Sequence, residues 1–157
     1  MKPTIYIEST IPSYLVSQAS RDLIVAAHQK ITQEWWQYKR NNFSIYISQL
    51  VLNEISAGDA ELAKERLKAV KAFAELDITD AVTTLASHIL STGIIPKKAA
   101  TDAAHIALAA VHGMHFLMTW NCTHIANAKI TKAIESICKR QGYECPVICT
   151  PEELMEG

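Results

Sequence analysis

An α/β fold, with a mostly parallel sheet covered by helices, is predicted by three features of the chain. Short β-rich runs recur along it, separated by stretches of helical periodicity. Hairpin signals between those runs are nearly absent, so neighbouring strands must be joined by crossovers rather than by tight turns. No repeat, low-complexity tract or Pro/Gly/Ser-rich linker divides the 157 residues. They read as one domain, 1–157, large enough to bury a core without disulfide or metal staples.

Thr4-Ile5-Tyr6-Ile7 is the first strand, ended by Ser9-Thr10 and Pro12. From about Ser20 to Arg40 the pattern turns helical, with Leu23, Ala27, Ile31, Trp35 and Tyr38 as the apolar stripe and Ser20 as N-cap. Ser44-Ile45-Tyr46-Ile47 reads as a second strand, followed by a helix from Gln49 to about Ala57 that Gly58 stops. Asp59 caps a further helical stretch whose Leu62, Leu67, Val70 and Phe73 are expected to face the core. Asp80 to Ser91 is a helix ending at Gly93, and the alanine-rich run from Ala99 to Val111 is another, closed by Gly113. His115 to Thr119 is a third strand, Lys129 to Arg140 a helix ending at Gly142, and Val147-Ile148-Cys149 a late, short strand.

Composition narrows the chemistry. The hydrophobic fraction of 49% and the charged fraction of 20% are ordinary globular values. Fifteen basic residues against sixteen acidic ones leave a net charge of −1, so a polyanion must be held by a local basic patch and not by the whole surface. No segment approaches the ~20 apolar residues that span a bilayer. The N-terminus lacks a signal-peptide core, so a cytoplasmic location is the expectation. The four cysteines form no CxxC pair and are expected to be reduced, structural thiols. Trp35 and Trp36 must point in different directions from a helix, one into the core and the other toward a partner or dimer contact.

In parallel sheets covered by helices, ligands bind beyond the carboxyl ends of the strands. Four side chains meet that description. Glu8 ends the first strand, Glu54 lies on the helix after the second, Asp102 opens the alanine-rich helix, and Asn121 follows the third strand in Thr119-Trp120-Asn121. Each has an ordinary reading alone: a solvated strand end, a polar helix face, a helix-dipole partner and a turn residue. Their joint placement at one end of the sheet is what suggests a hard-cation site, because Mg²⁺ takes carboxylate oxygens and keeps several waters. Ser9 and Thr10 place hydroxyls beside that pocket, with turn stabilisation as their other reading. Lys97-Lys98, a few residues ahead of Asp102, would rim it and meet a phosphate. His105 and His112 share a helix face, but no third nitrogen or sulfur is spaced to complete a zinc site. His124 is close enough to Asn121 to reach the pocket, or else is a loop residue.

Ile5 to Leu15 resembles the opening strand and turn of PIN domains. Val51-Leu52-Asn53-Glu54-Ile55 is similar to the helix that bears their second acid. Ala100-Thr101-Asp102-Ala103-Ala104-His105-Ile106-Ala107-Leu108-Ala109 looks like their aspartate-led helix, and Phe116 to Asn121 like the strand carrying their last site residue. The resemblance spans essentially the whole chain, in family order. It implies a PIN-like (Rossmann-like) sheet with helices on both faces. It also implies Mg²⁺- or Mn²⁺-dependent cleavage of RNA, and, as in VapC-like toxins, a cognate antitoxin and a homodimer. Glu8, Asp102 and Glu54 would hold the metal, Asn121 would orient a metal-bound water, and Thr10, Lys97 and Lys98 would meet substrate. Two positions depart from the pattern: Glu8 stands where aspartate is common, and Asn121 supplies a neutral oxygen where aspartate is frequent. These departures keep open the alternative of a non-catalytic PIN-fold module that binds RNA or protein. A receiver-like phospho-acceptor fits worse, since Ser48 and Thr119-Trp120-Asn121-Cys122 follow the second and third strands without an acceptor aspartate.

Overall fold

Strand β1 (Thr4–Ile7) carries Ile5, Tyr6 and Ile7 with no exposed surface. A strand whose successive side chains are all buried must be covered on both faces, as the centre of a parallel sheet is. That is its place. The computed structural model describes residues 1–156, and five strands form one sheet in the order β3-β2-β1-β4-β5. The others are β2 (Ser44–Ser48), β3 (Ala74–Leu76), β4 (Phe116–Met118) and β5 (Val147–Cys149). Every neighbouring pair is parallel, so the sheet has no antiparallel member among the described residues.

Among the described residues, seven α-helices flank it: α1 (Thr10–Val16), α2 (Leu23–Tyr38), α3 (Gln49–Ile55), α4 (Ala60–Val70), α5 (Asp80–Ser91), α6 (Ala100–Val111) and α7 (Ala128–Arg140). Helix α1 packs on α2 and α4, while α5 packs on α6 and α7. Helix α6 buries Ala103, then every residue from His105 to Ala110, so its many alanines let it lie close against its neighbours. It stops at Gly113, whose φ of +67° is a left-handed conformation that glycine adopts without a Cβ clash.

Several sequence expectations are corrected by the structure. Ser9-Thr10 and Pro12 do not simply end a strand. They open α1, where Pro12 sits in the first turn and its missing N–H goes unneeded. Helix α2 is capped by Asp22, whose carboxylate accepts from the Ile24 and Val25 N–H groups, while Ser20 accepts from Asp22 instead. Its inward stripe is also rotated: Leu23 is 85% and Tyr38 68% exposed, Ala27 is exposed, and Gln29, Thr32 and Trp35 are buried. Polar side chains win that face because they have partners there. Gln29 bonds Ser17, Gln18 and Ser20, and Thr32 accepts from the Trp120 indole. On α4, Val70 and Ala63 are buried, but Leu67 is exposed. Strand β3 is an addition, an edge strand of three residues, two of them exposed, with no β-branched side chain to announce it. Trp35 is buried as expected, whereas Trp36 is covered by this chain itself, edge-on to Phe73 and beneath the Arg40 guanidinium.

Candidate metal centre

The strand order reverses direction at β1, which leads to β2 on one side and pairs with β4 on the other. Crevices open beyond the carboxyl ends of strands at such a reversal. Glu8 follows β1, and Thr119-Trp120-Asn121 follow β4, so both arms of the crevice carry polar side chains.

Glu8 is only 4% exposed. Its Oε1 accepts from the Thr10 N–H (3.0 Å), the Thr10 hydroxyl and the Thr119 hydroxyl (2.7 Å), and none of its hydrogen bonds uses Oε2. Thr10 in turn accepts from the Trp120 N–H, and Thr119 from the Asn121 N–H. The start of α1 and the loop after β4 are thereby fastened to one carboxylate. The Thr10 hydroxyl, expected at substrate, is spent on orienting Glu8.

Glu54 lies on the second-last residue of α3, with its side chain 38% exposed. The Ser9 hydroxyl donates to its Oε1 at 2.6 Å, and His105 Nε2 reaches the same oxygen at 2.6 Å. Burial works to raise this carboxyl group. The hydrogen bond from His105, attraction to that ring when protonated, and the Ser9 hydroxyl outweigh it and hold the group below its ordinary value. One ligand atom each from Glu8, Glu54 and His105 lie within 4.8 Å of one another.

Asp102 stands in the first turn of α6, outside that trio, and its Oδ2 contacts His124 Nδ1 at 3.1 Å. The expectation that one end of the sheet would bring all four predicted residues to a single cluster is therefore met only in part. Asn121 is the clearest departure. Its Oδ1 accepts from the Thr123 and His124 N–H groups, so the oxygen expected to orient water closes a turn, and the amide's free end is the donor Nδ2. Lys97 and Lys98 are exposed in the 3₁₀ turn directly before α6.

The donor set fits a hard divalent cation. Glu8 is an almost buried carboxylate, and among the described residues no Lys or Arg lies within ion-pair distance of any acid at this site. Hydrogen bonds alone offset its burial, and a cation would supply the missing charge. Glu8 Oε2, Glu54 Oε2 and Asp102 Oδ1 are the carboxylate oxygens without protein donors.

Four buried side chains not expected at this site belong to it: Tyr6, Ser48 and Thr119, and His105, which the sequence offered only as an incomplete zinc ligand. Tyr6 interrupts two isoleucines in a central strand, and His105 interrupts an apolar run from Ala103 to Ala110. A lone polar side chain in such a run was the available signal, because burying it demands partners.

The sequence matches no protein-family model and no curated protein. The structure does match solved ones. A chain in the crystal structure of VapBC2 from Rickettsia felis, bound to a DNA fragment from their promoter, superposes with a TM-score of 0.60 at 15% identity. The match covers 94% of this chain and 98% of that one. The fold is therefore α/β and PIN-like, a parallel sheet with helices on both faces. Among the described residues, no helix is long and apolar enough to cross a membrane.

Proposed function

We propose that this chain is a divalent-metal-dependent endoribonuclease acting as the toxin of a toxin–antitoxin pair. The observation that carries the proposal is the meeting of Glu8 and Glu54 at the reversal point of a PIN-like sheet, with unpartnered oxygens and no cationic side chain against them. Glu8, Glu54 and Asp102 would hold Mg²⁺ or Mn²⁺. When bound, such an ion polarises a phosphodiester and neutralises charge that develops on it. The protein's part is preparation. Thr10 and Thr119 lock the Glu8 carboxylate, Ser9 and His105 lock Glu54, and His124 contacts Asp102. Lys97 and Lys98 would contact substrate phosphates from the turn before α6. The Rickettsia complex supports a cognate antitoxin as partner, and a homodimer in a cytoplasmic setting completes the proposal.

A second reading, a non-catalytic module that binds RNA or protein, is favoured by one observation. Asn121 turns its oxygen to the backbone and presents a donor, which leaves the fourth position without a ligand. Cleavage of a mixed single-stranded RNA across a Mg²⁺ and Mn²⁺ titration separates the two. Wild type should cleave, and Asp102→Ala should lose at least about 10-fold, as removal of a metal-linked side chain does. Asn121→Asp should cleave faster, since Asp retains the oxygen that caps the turn and puts a second oxygen where Nδ2 stands. Cleavage undiminished in Asp102→Ala would refute the assignment. RNA binding without cleavage by wild type and Asn121→Asp alike would establish the second reading.

A further inference from the structure

Behind Glu54 a hydrogen-bonded chain runs into the core. Ser48 Oγ lies 2.7 Å from the Tyr6 hydroxyl, that hydroxyl 2.7 Å from His105 Nδ1, and His105 Nε2 2.6 Å from Glu54 Oε1. Ser48, Tyr6 and His105 are all fully buried, so none of their polar atoms has water to fall back on. The three come from β2, β1 and α6, which lie 42 and 99 residues from one another along the chain.

The direction of each bond follows from what the ends can do. A carboxylate only accepts, so the ring nitrogen facing Glu54 must carry a hydrogen; a bare lone pair at 2.6 Å would repel it. A ring protonated at both nitrogens would leave one hydroxyl hydrogen of the buried Tyr6–Ser48 pair without an acceptor, so Nε2 is the donor and Nδ1 the acceptor. The Tyr6 hydroxyl must donate to Nδ1, which leaves its oxygen to accept from Ser48. Ser48 Oγ in turn accepts from the Val51 N–H at the start of α3. Each polar atom is satisfied in this one arrangement.

A grouping by distance alone would make His105 a ligand beside Glu8 and Glu54. The hydrogen bonds argue otherwise. Both ring nitrogens are occupied, and the one facing the acids is a donor. We propose that His105, held in its Nε2–H tautomer by Tyr6 and Ser48, is a positioning residue rather than a metal ligand, turning Oε1 of Glu54 inward and leaving Oε2 for a cation. The proposal rests on the reading of Glu54 as a metal-holding side chain. It makes Ser48, which caps α3, and Tyr6 on β1 part of the site through His105.

The test is Mn²⁺ binding by calorimetry without RNA, for wild type, His105→Leu, His105→Gln and Tyr6→Phe. It is paired with the ring ¹⁵N shifts of His105, assigned by their loss in His105→Gln. Wild type should show the Nε2–H tautomer. His105→Leu should weaken Mn²⁺ binding by about 10- to 100-fold, the usual effect of removing a partner that orients a ligand. His105→Gln, whose amide can still donate toward Glu54, should recover most of that loss. Tyr6→Phe deletes a single oxygen and should weaken binding less than His105→Leu, which keeps the test decisive where the leucine variant does not fold. A folded His105→Leu or Tyr6→Phe that binds Mn²⁺ as tightly as wild type would overturn the proposal, as would an Nδ1–H ring. Wild type that binds no Mn²⁺ would overturn both this and the metal-dependent reading. Wild type that binds Mn²⁺ and cleaves no RNA would sink the nuclease alone, and the variants' affinities would still decide the role of His105.

Discussion

Thr119 is fully buried, and its single hydroxyl donates to Glu8 and accepts from the Asn121 N–H. Thr119→Val keeps the shape but leaves both partners short. It should cost about 1–3 kcal/mol in urea unfolding, the penalty for an unsatisfied buried polar group, while Thr119→Ser should cost much less. The thiols divide in a similar way by surroundings. All four are free, but Cys122 is exposed and Cys138 and Cys149 are buried. Burial, helped by Glu153, pushes the Cys149 thiol up to about 12 from 9.0. An unfolded chain loses that proton near 9.0 and the folded one keeps it to about 12. Stability should therefore be intact below the lower value and decline as pH climbs between the two. Cys149→Ala should flatten that alkaline decline; an unchanged slope would place its origin in another group. A native-state thiol titration should find Cys122 reactive, and Cys138 and Cys149 reactive only after denaturation.

Among the elements, α6 does the most to place the site. Asp102 and His105 are three residues apart, so they share a face at the helix start, while the alanines behind them allow close packing against α5. Ala107 has no exposed surface. Ala107→Leu should overpack this contact and cost about 1–3 kcal/mol, read as a lower urea midpoint with an unchanged slope. A neutral result would mean that α6 is packed more loosely than its burial indicates. The limits of α5, α6 and α7 were legible because each helical run is closed by a glycine, Gly93, Gly113 or Gly142, that takes the left-handed conformation. Helix α2 was legible in extent but not in orientation. Its inward face is built on Gln29 and Thr32, and polar residues are invisible to a search for apolar stripes.

For the whole molecule, a cation that binds only the folded state must raise the melting temperature by mass action. At 100 times its dissociation constant the gain is about 2.7 kcal/mol. For a chain of this size that corresponds to roughly 5–11 °C. Asp102→Asn should remove most of the rise in Mn²⁺, and an equal response in wild type and variant would show that the ion binds elsewhere.

Local pattern determined the order of most elements and the parallel character of the sheet, since propensity, caps and turn residues act between near neighbours. It also placed Glu8, Glu54 and Asp102 beyond strand ends or on the helices that follow them, because the ends of parallel strands are where such folds put their ligands. Only the tertiary structure could decide which of these side chains meet. It left Asp102 outside the cluster of Glu8, Glu54 and His105, turned the Asn121 oxygen to the backbone, and brought Tyr6, Ser48 and His105 into line behind Glu54. The physical reason is range. A buried hydroxyl or imidazole takes whatever partner the packing offers, and here that partner lies up to 111 residues away along the chain.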